Sequence, residues 1–524
     1  MKRRSFLTQV PAFALGVSAL GGPLAALAQG TRPLRMRLNA DIRSTDPGVN
    51  RDANTDFIMS HVVEGLVGYR DDASVGPMLA ESWEISEDGR TYTFTLREGV
   101  TFHNGAPLTS AEVVWCWSRY MDPETGWRGA RDYNGERGLT VTAEAGDART
   151  VIFTLDTPNA LFLTNLARTD CGQTGIYHPD SLAADGSWSE PVGTGPFMLS
   201  QWERGQYLEL TRFDDYAALD TPRTGLVGDK TPLVETVRYL IIPEDSSARA
   251  ALLSGDIDIM PDVATADYAG FQSNPEITTD NVPGFGVGGF LLQTTDPVIG
   301  DLRMRQALKL ALDAPQIVDI LTEGLAEANQ SVVPPGSPYF SEIMATPFQR
   351  DVARARDLAA EAGYDGTPIV LLATQHYPQL FDMAVMAQAM LAEAGITVEV
   401  EVLDWATLLD RYSSGNYQAM AFTFSARLDP ALSYDMISGD KAEQPRKVWD
   451  NPKAREVLKR SMIESDPAQR QQLFDQLEEM FQADVPMIPL YSGNRISASR
   501  AAAEGYASWS VGSPRAWGVS LDEA

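Results

Sequence analysis

The side chains that most often carry out catalysis are few in this chain and lie far apart. Its 524 residues include four widely separated histidines: His61, His103, His178 and His376. The chain contains no H-E-x-x-H, H-x-x-x-H or C-x-x-C motif and no G-x-S-x-G elbow. Cys116 falls within a predicted helix, where a buried thiol is the usual form, so we do not expect it to pair with Cys171. The sequence therefore predicts no catalytic residue, no metal site and no cofactor.

Aromatic side chains offer a different chemistry, the binding of a solute. The chain has 10 Trp, 17 Tyr and 19 Phe. Trp127, Trp405 and Trp509 fall in or beside predicted loops and helix starts, where large rigid side chains can line a ligand cleft. Packing in the core is the common alternative for any tryptophan. We interpret these three as candidate ligand contacts.

The overall charge excludes one class of partner. Lysine and arginine total 42 and aspartate and glutamate 71, so the formal net charge is −29. The field of such a protein repels phosphate backbones, so nucleic acid is not a predicted partner. At about 100–200 residues per domain, the length indicates two to four packed units.

The N-terminus has the order of an export signal. Arg3 and Arg4 precede an apolar stretch over residues 11–27, and the small-residue triplet Ala-Leu-Ala ends at Ala28. This order is typical of a cleaved signal peptide, and the arginine pair resembles a twin-arginine signal, with a general secretory signal as the alternative. No cysteine stands near the cleavage site to carry a lipid. We predict cleavage after Ala28 and a protein that is free in the periplasm and is not a lipoprotein.

A strand hairpin followed by a helix is predicted in the first part of the chain. The turn tetrad Glu-Asp-Gly-Arg at 87–90 precedes a stretch over 91–97 that alternates polar and apolar side chains, as a half-buried strand does. Thr109 stands three residues before Glu112, a capping-box spacing that starts a helix over 110–120. These signals indicate an α+β module.

Strands and helices alternate in the second half of the chain. The predicted elements are a strand over 367–373, a helix over 381–394, a strand over 396–403, a helix over 405–413 and a strand over 417–424. This alternation predicts an α/β unit with a parallel sheet and helices on both faces. A ligand crevice should lie beyond the carboxyl ends of the strands, and the segment 424–430 is one such end.

Five blocks of sequence carry a resemblance to a known family. The longest, LAESWEISEDGRTYTFTLREGVTFHNGAPLTSAEV at 79–113, resembles the signature of the family 5 extracellular solute-binding proteins, the peptide- and nickel-binding subunits of ABC importers. The blocks 193–197, 238–260, 301–313 and 485–491 agree with that family in the same order. The absence of a histidine cluster argues against the nickel branch.

The resemblance implies an α/β fold with an α+β insertion, in the bilobal form of a type II-like periplasmic binding protein with three domains and a hinge. The implied boundaries are 29–70, 189–283 and 491–524 for a discontinuous domain I, 71–188 for an inserted domain II, and 284–490 for domain III. The glycine-rich run 284–289 would be a flexible crossing between domains. The lobes would close on the ligand about the hinge.

The resemblance also implies ligand residues. Trp405 matches a stretch that contributes a ligand-contacting tryptophan in oligopeptide binders. Those proteins place an aspartate for the peptide's α-ammonium group at a position that here falls on Ala426 or Arg427, and neither is an acid. Asp429 either takes over that role or caps its Asp-Pro turn. Arg427 either binds a carboxylate or phosphate of the ligand or is an exposed arginine without a ligand role.

The implied function is that of a periplasmic substrate-binding subunit, not an enzyme. It would capture a peptide or peptide-like solute between two lobes and deliver it, as a monomer, to the membrane permease subunits of an ABC importer. The missing acid leaves a non-peptide polar solute, such as an oligosaccharide or an opine-like conjugate, as the alternative. An exported hydrolase is the remote alternative, because no catalytic motif supports it.

Overall fold

The computed structural model describes residues 32–522. The predicted export signal and the cleavage site after Ala28 lie outside the described residues. In the part described, no helix is both long enough and apolar enough to span a membrane. Strands and helices are distributed over three main sheets of seven, five and four strands.

The first part of the chain supplies strands to two of these sheets. Its strands are β1 (Leu34–Leu38), β2 (Val67–Tyr69), β3 (Val75–Pro77), β4 (Ala80–Ile85), β5 (Thr91–Leu96), β6 (Val141–Ala145), β7 (Thr150–Leu155), β8 (Phe197–Glu203), β9 (Tyr207–Arg212), β10 (Thr236–Ile241), β11 (Ile259–Met260) and β12 (Ile277–Pro283). Its helices are α1 (Ala53–Met59), α2 (Ser110–Met121), α3 (Phe162–Leu166), α4 (Asp245–Ser254) and α5 (Thr265–Gln272).

The second part supplies the five-stranded sheet and its helices, and the last residues return to the first part. The strands are β13 (Val287–Leu292), β14 (Ile369–Ala373), β15 (Val398–Val402), β16 (Ala419–Phe424), β17 (Met487–Tyr491), β18 (Asn494–Arg500), β19 (Ala503–Glu504) and β20 (Ser520–Leu521). The helices are α6 (Leu302–Ala311), α7 (Ala314–Thr322), α8 (Val352–Glu361), α9 (Pro378–Glu393), α10 (Trp405–Ser414), α11 (Pro430–Ile437), α12 (Pro452–Ser461) and α13 (Pro467–Asp484).

The seven-stranded sheet has the order β12-β18-β11-β1-β10-β9-β8. β1 runs parallel to both of its neighbours, β10 and β11, and the other pairs are antiparallel. β18 comes from the end of the chain but lies between two strands of the first part. The sheet is therefore completed only by the returning segment.

The predicted hairpin and helix of the first part are confirmed. β4 and β5 pair around the turn, and with β6 and β7 they form a four-stranded antiparallel sheet. α2 begins with the predicted capping box, in which the Thr109 side chain accepts from the Glu112 backbone N–H and the Glu112 side chain accepts from the Thr109 backbone N–H. Cys116 on α2 is buried and free, as is Cys171.

The five-stranded sheet has the order β15-β14-β16-β13-β17. The predicted strand-helix alternation is confirmed, because β14 runs parallel to β15 and to β16. The prediction of a wholly parallel sheet is wrong, because β13 pairs antiparallel with β16 and β17. One apolar cluster takes residues from α6 to α9 and the other from α10 to α13, so helices cover both faces.

The chain passes between the two large sheets twice within the described residues, at 284–286 and at 492–493. The two crossings touch, because the Gly284 N–H donates to the Gly493 carbonyl at 3.1 Å. The prediction that the whole run 284–289 is a flexible crossing is wrong for its second half. Gly288 and Gly289 lie inside β13, where a Cβ on Gly289 would be 2.2 Å from the Ile488 carbonyl oxygen. These glycines allow β17 to approach closely.

Candidate functional site

A cavity of about 800 Å³ lies where the carboxyl ends of strands from both large sheets meet. Asn39 follows β1, Pro261 follows β11, and residues 425–428 follow β16, and all of them line the cavity. α1 and the loop over 511–514 complete part of the wall. The position agrees with the predicted crevice beyond the carboxyl ends of the strands. The volume is in the range of small-molecule sites.

The cavity wall has the opposite charge to the protein as a whole. Among the described residues that line it, eight are arginine and four are aspartate, with no lysine or glutamate. The whole chain has 71 acidic residues against 42 basic ones. A concentration of guanidinium groups in a cleft focuses a positive potential there.

Five of these arginines have carboxylate partners. The ion pairs are Arg37 with Asp245, Arg51 with Asp56, Arg128 with Asp170, Arg137 with Asp132, and Arg168 with both Asp132 and Asp170. Arg37 is buried and also donates to the carbonyls of Ile242 and Pro243. Burial raises the pKa of Asp56 to about 7, against the opposing effect of Arg51. Part of the positive charge is therefore neutralised within the wall.

The other three arginines, Arg427, Arg446 and Arg495, form no ion pair with any carboxylate of residues 32–522. Arg427 follows β16, Arg446 lies between α11 and α12, and Arg495 lies on β18. They reach the cavity from both large sheets.

Arg427 is the one predicted ligand residue that lines the cavity. It is partly buried and donates to the carbonyls of Ser425 and Ala426 and to the Ser425 hydroxyl. Burial lowers the pKa of Arg427, Asp170 opposes that effect, and Arg168 adds to it. A guanidinium in this position can receive an anion without first giving up a carboxylate.

Trp405 does not line the cavity. It is half-buried at the start of α10, and its ring stacks on Phe422 at 6.0 Å and on His376 at 6.1 Å. Phe422 in turn stacks on Tyr412, whose hydroxyl accepts a hydrogen bond from Arg446. An aromatic row thus joins Trp405 to the cavity wall. Its contact with ligand stays a prediction.

The Asp429 carboxylate takes part in two structural interactions, a helix cap and an ion pair. It caps α11 by accepting the Ala431 N–H. It also forms a bidentate ion pair with Arg470, with both N–O distances 2.9 Å, and both side chains are buried. Of the two interpretations left open by the sequence, the geometry favours the cap. A role in holding an ammonium group would require the ion pair with Arg470 to break.

Trp127 and Trp509 are both buried and neither lines the cavity. The Trp127 indole N–H donates to the Cys171 carbonyl, and its ring stacks on Tyr133. The guanidinium of Arg515 lies over the Trp509 ring at 5.2 Å. Both tryptophans pack in the core in this structure.

Sequence reasoning missed most of the arginines, because they come from segments that are distant along the chain. One signal was available, since a polar side chain at the carboxyl end of a buried strand, such as Arg37, marks a cleft wall. No group of three His, Cys, Asp or Glu side chains within residues 32–522 is placed to hold a metal ion.

Known proteins share both the sequence pattern and the fold. The family model described as Bacterial extracellular solute-binding proteins, family 5 Middle, matches residues 74–444. Di/tripeptide-binding protein 1 of Pseudomonas aeruginosa (strain UCBPP-PA14) is 26% identical over 451 residues, covering 80% of this chain and 81% of that protein.

Two solved structures extend this likeness to the fold. HbpA2 from Haemophilus parasuis has a TM-score of 0.82 and 25% identity, with coverage of 94% of this chain and 100% of that chain. AgaA from A. tumefaciens R10, in complex with agropinic acid, has a TM-score of 0.70 and 26% identity, with coverage of 94% and 99%. The predicted bilobal binding-protein fold is confirmed. Because the family model covers well over half of its length, the chain belongs to the bacterial extracellular solute-binding proteins of family 5.

Proposed function

We propose that this protein is the periplasmic substrate-binding subunit of an ABC importer, and not an enzyme. It captures a peptide or peptide-like solute and delivers it to the membrane permease subunits. The observation that carries the proposal is the cavity of about 800 Å³ at the carboxyl ends of strands from two sheets that are joined by two adjacent crossings. The similarity to Di/tripeptide-binding protein 1 supports a peptide ligand.

The crossings give the protein a place to bend. The amide of Asn329 donates to the Ser492 hydroxyl in the second crossing and to the carbonyls of Ser331 and Val333. Asn494 donates to Asn281, which joins β18 to β12 beside the crossings. A ligand that contacts both walls of the cavity stabilises the closed arrangement only through contacts that the open one lacks. Domains with the boundaries given above would move as units.

The predicted export signal completes the proposal. Cleavage after Ala28 would release a protein without a lipid anchor into the periplasm, where a monomer could meet both solute and permease. The formal charge of −29 gives no support for a nucleic-acid partner.

A non-peptide polar solute is the second candidate. It is favoured by the segment after β16, where Ala426 and Arg427 offer no acid for an α-ammonium group and Asp429 is paired with Arg470. AgaA, solved with agropinic acid, supports the same alternative.

The proposal is tested by measuring thermal and chemical unfolding of the purified protein with pools of dipeptides, tripeptides and oligosaccharides. A peptide that binds the folded state raises the free energy of unfolding by about 2.7 kcal/mol at 100 times its Kd. We expect Trp405→Ala to weaken binding about tenfold or more, as loss of an aromatic anchor does.

Trp83→Ala is the matched control, because Trp83 is a half-buried tryptophan on β4 that packs on Phe94, outside the aromatic row that joins Trp405 to the cavity wall. It should leave affinity unchanged. If only oligosaccharides stabilised the protein, the ligand would be a non-peptide polar solute, the second candidate, and not a peptide. The receptor role would be overturned if an amide-hydrolysing activity co-purified with the protein and was lost when residues of the cavity were mutated.

A further inference from the structure

The net positive charge of the cavity wall is not explained by the overall charge of the protein. In a chain with 29 more acidic than basic side chains, a wall with eight arginines and four aspartates is a local reversal. Arginines gathered in a cleft repel one another and destabilise the fold unless something opposes them. The aspartates of the wall oppose only part of this charge.

Three of the four aspartates of the wall are already paired with cations. Asp56 is paired with Arg51, Asp170 with Arg168, and Asp435 lies 3.6 Å from Lys447. Asp262 forms no ion pair within residues 32–522, and burial raises its pKa against the opposing charges of Arg495 and Arg37. The described wall thus offers a ligand's ammonium group few carboxylates, against eight guanidiniums.

Two guanidiniums, those of Arg427 and Arg446, line the cavity from the side of the five-stranded sheet. Arg446 donates to the Tyr412 hydroxyl at 3.0 Å, and Arg427 donates to Ser425 and Ala426. Neither has a carboxylate partner in residues 32–522. From the other side, Arg495 projects from the first residues of β18 and packs against Gly512. The open cationic positions therefore face the cavity from two walls.

Arginine is well suited to bind an oxyanion, because its planar fork donates two parallel hydrogen bonds to one carboxylate or phosphate. Lysine, which donates as a point charge, is absent from the described wall. Guanidiniums on two separate walls match two anionic groups on one ligand better than a single one.

We propose that the solute is an acidic, peptide-like molecule with at least two anionic groups, one bound by Arg427 and Arg446 and another by Arg495. This inference rests on the proposed function, since it names the class of solute that the cavity captures. A free α-ammonium group contributes little to its binding.

The test uses tripeptides that differ only in charge: Ala-Gln-Gln, Ala-Glu-Glu and Ala-Lys-Lys, together with Ala-Ser-Ala and its phosphoserine counterpart. Isothermal titration with the purified protein should give Ala-Glu-Glu an affinity about tenfold or more above that of Ala-Gln-Gln, with the advantage falling as salt is added. Acetylation of the amino terminus of Ala-Glu-Glu should change its affinity less than threefold. The phosphoserine peptide distinguishes a phosphate from a carboxylate as the preferred group.

Arg427→Gln and Arg495→Gln should each remove most of the advantage that Ala-Glu-Glu has over Ala-Gln-Gln. Arg204→Gln is the matched control, because Arg204 is exposed, lies over Trp202 and is outside the cavity. Equal or tighter binding of the neutral or basic peptide would overturn the inference while leaving the receptor role intact. Failure of every peptide and peptide-like solute to bind would instead count against the proposed function itself.

Discussion

His61 is held in one neutral form by its hydrogen bonds. Its Nδ1–H donates to the Phe57 carbonyl at 3.0 Å, and Nε2 accepts the Ala516 N–H at 3.0 Å. The imidazole thus joins α1 to the returning segment of the chain. Burial lowers the pKa of His61 to about 3.

His103 is similarly held, and its titration gives a testable pH dependence. Its Nε2–H donates to the Gly195 carbonyl, Nδ1 accepts the Gly193 N–H, and burial lowers its pKa to about 4 from 6.5. Between pH 4 and pH 6.5 the His103 imidazole binds a proton in the unfolded chain but stays neutral in the folded protein. The contribution of neutral His103 to the free energy of unfolding is therefore fully present above pH 6.5 and is lost as the pH falls toward 4.

We expect the fall in the free energy of unfolding between pH 7.5 and pH 5 to be smaller in His103→Gln than in the wild type by about 2 kcal/mol. Denaturant unfolding at the two pH values measures it. His376→Gln, on an exposed histidine, serves as the control and should keep the wild-type dependence. An unchanged dependence in His103→Gln would contradict the assignment.

Asp429 gives a prediction that separates its two interpretations. In Asp429→Asn the amide can still cap α11, but the buried Arg470 loses its charge partner, so the free energy of unfolding should fall by about 3–5 kcal/mol. The ligand affinity of the folded variant should stay within threefold. Denaturant unfolding and titration calorimetry measure the two quantities.

Asp301→Asn is the matched control for Asp429→Asn. Asp301 also caps a helix and pairs with an arginine, Arg303, but the pair is solvent-exposed, so the loss should be at most about 1 kcal/mol. A stable Asp429→Asn variant that no longer binds peptide would instead identify Asp429 as the ammonium anchor.

At the scale of elements, the two crossings differ in backbone conformation. Gly493 has φ +70°, a left-handed conformation that a Cβ makes costly, whereas an added Cβ at Gly284 would meet its nearest atom at an ordinary 3.4 Å. Gly493→Ala should lower the free energy of unfolding by about 1–2 kcal/mol. Gly284→Ala, in the neighbouring crossing, should change it by less than about 0.5 kcal/mol. Denaturant unfolding of both variants checks this. Because a Cβ on Gly493 would meet no atom within 4 Å, a larger loss in Gly284→Ala would show that contact, not φ, decides.

Local elements were predictable because their signals are local. The capping box of α2, the turn before β5 and the glycine that ends α10 all lie within a few residues of the element they set. The order of the seven-stranded sheet was not predictable in this way, because β18 pairs with strands more than 200 residues away. The antiparallel β13 was missed for the same reason.

At the scale of the whole molecule, the site was only partly predictable. The crevice followed from a general property of α/β sheets, which place ligands beyond the carboxyl ends of strands, and Arg427 followed from the resemblance to the family. Arg470, which pairs with Asp429, and the Cys171 carbonyl, which accepts from Trp127, lie more than 40 residues away along the chain, so these contacts were not readable from spacing. The reversal of charge in the cavity could not be read either, since it arises from arginines gathered from many segments of an acidic chain.

The place of β18 between β12 and β11 in the seven-stranded sheet has a consequence for the order in which the sheet can form. A ribosome makes β1, β11 and β12 first, then all of residues 284–493, and only afterwards the strand that joins β11 to β12. Until that strand emerges, the edges of both neighbours stay open to wrong partners. The half of the protein that is made first is thus the half that is finished last, and the nascent chain must be kept from aggregating until its synthesis is almost complete.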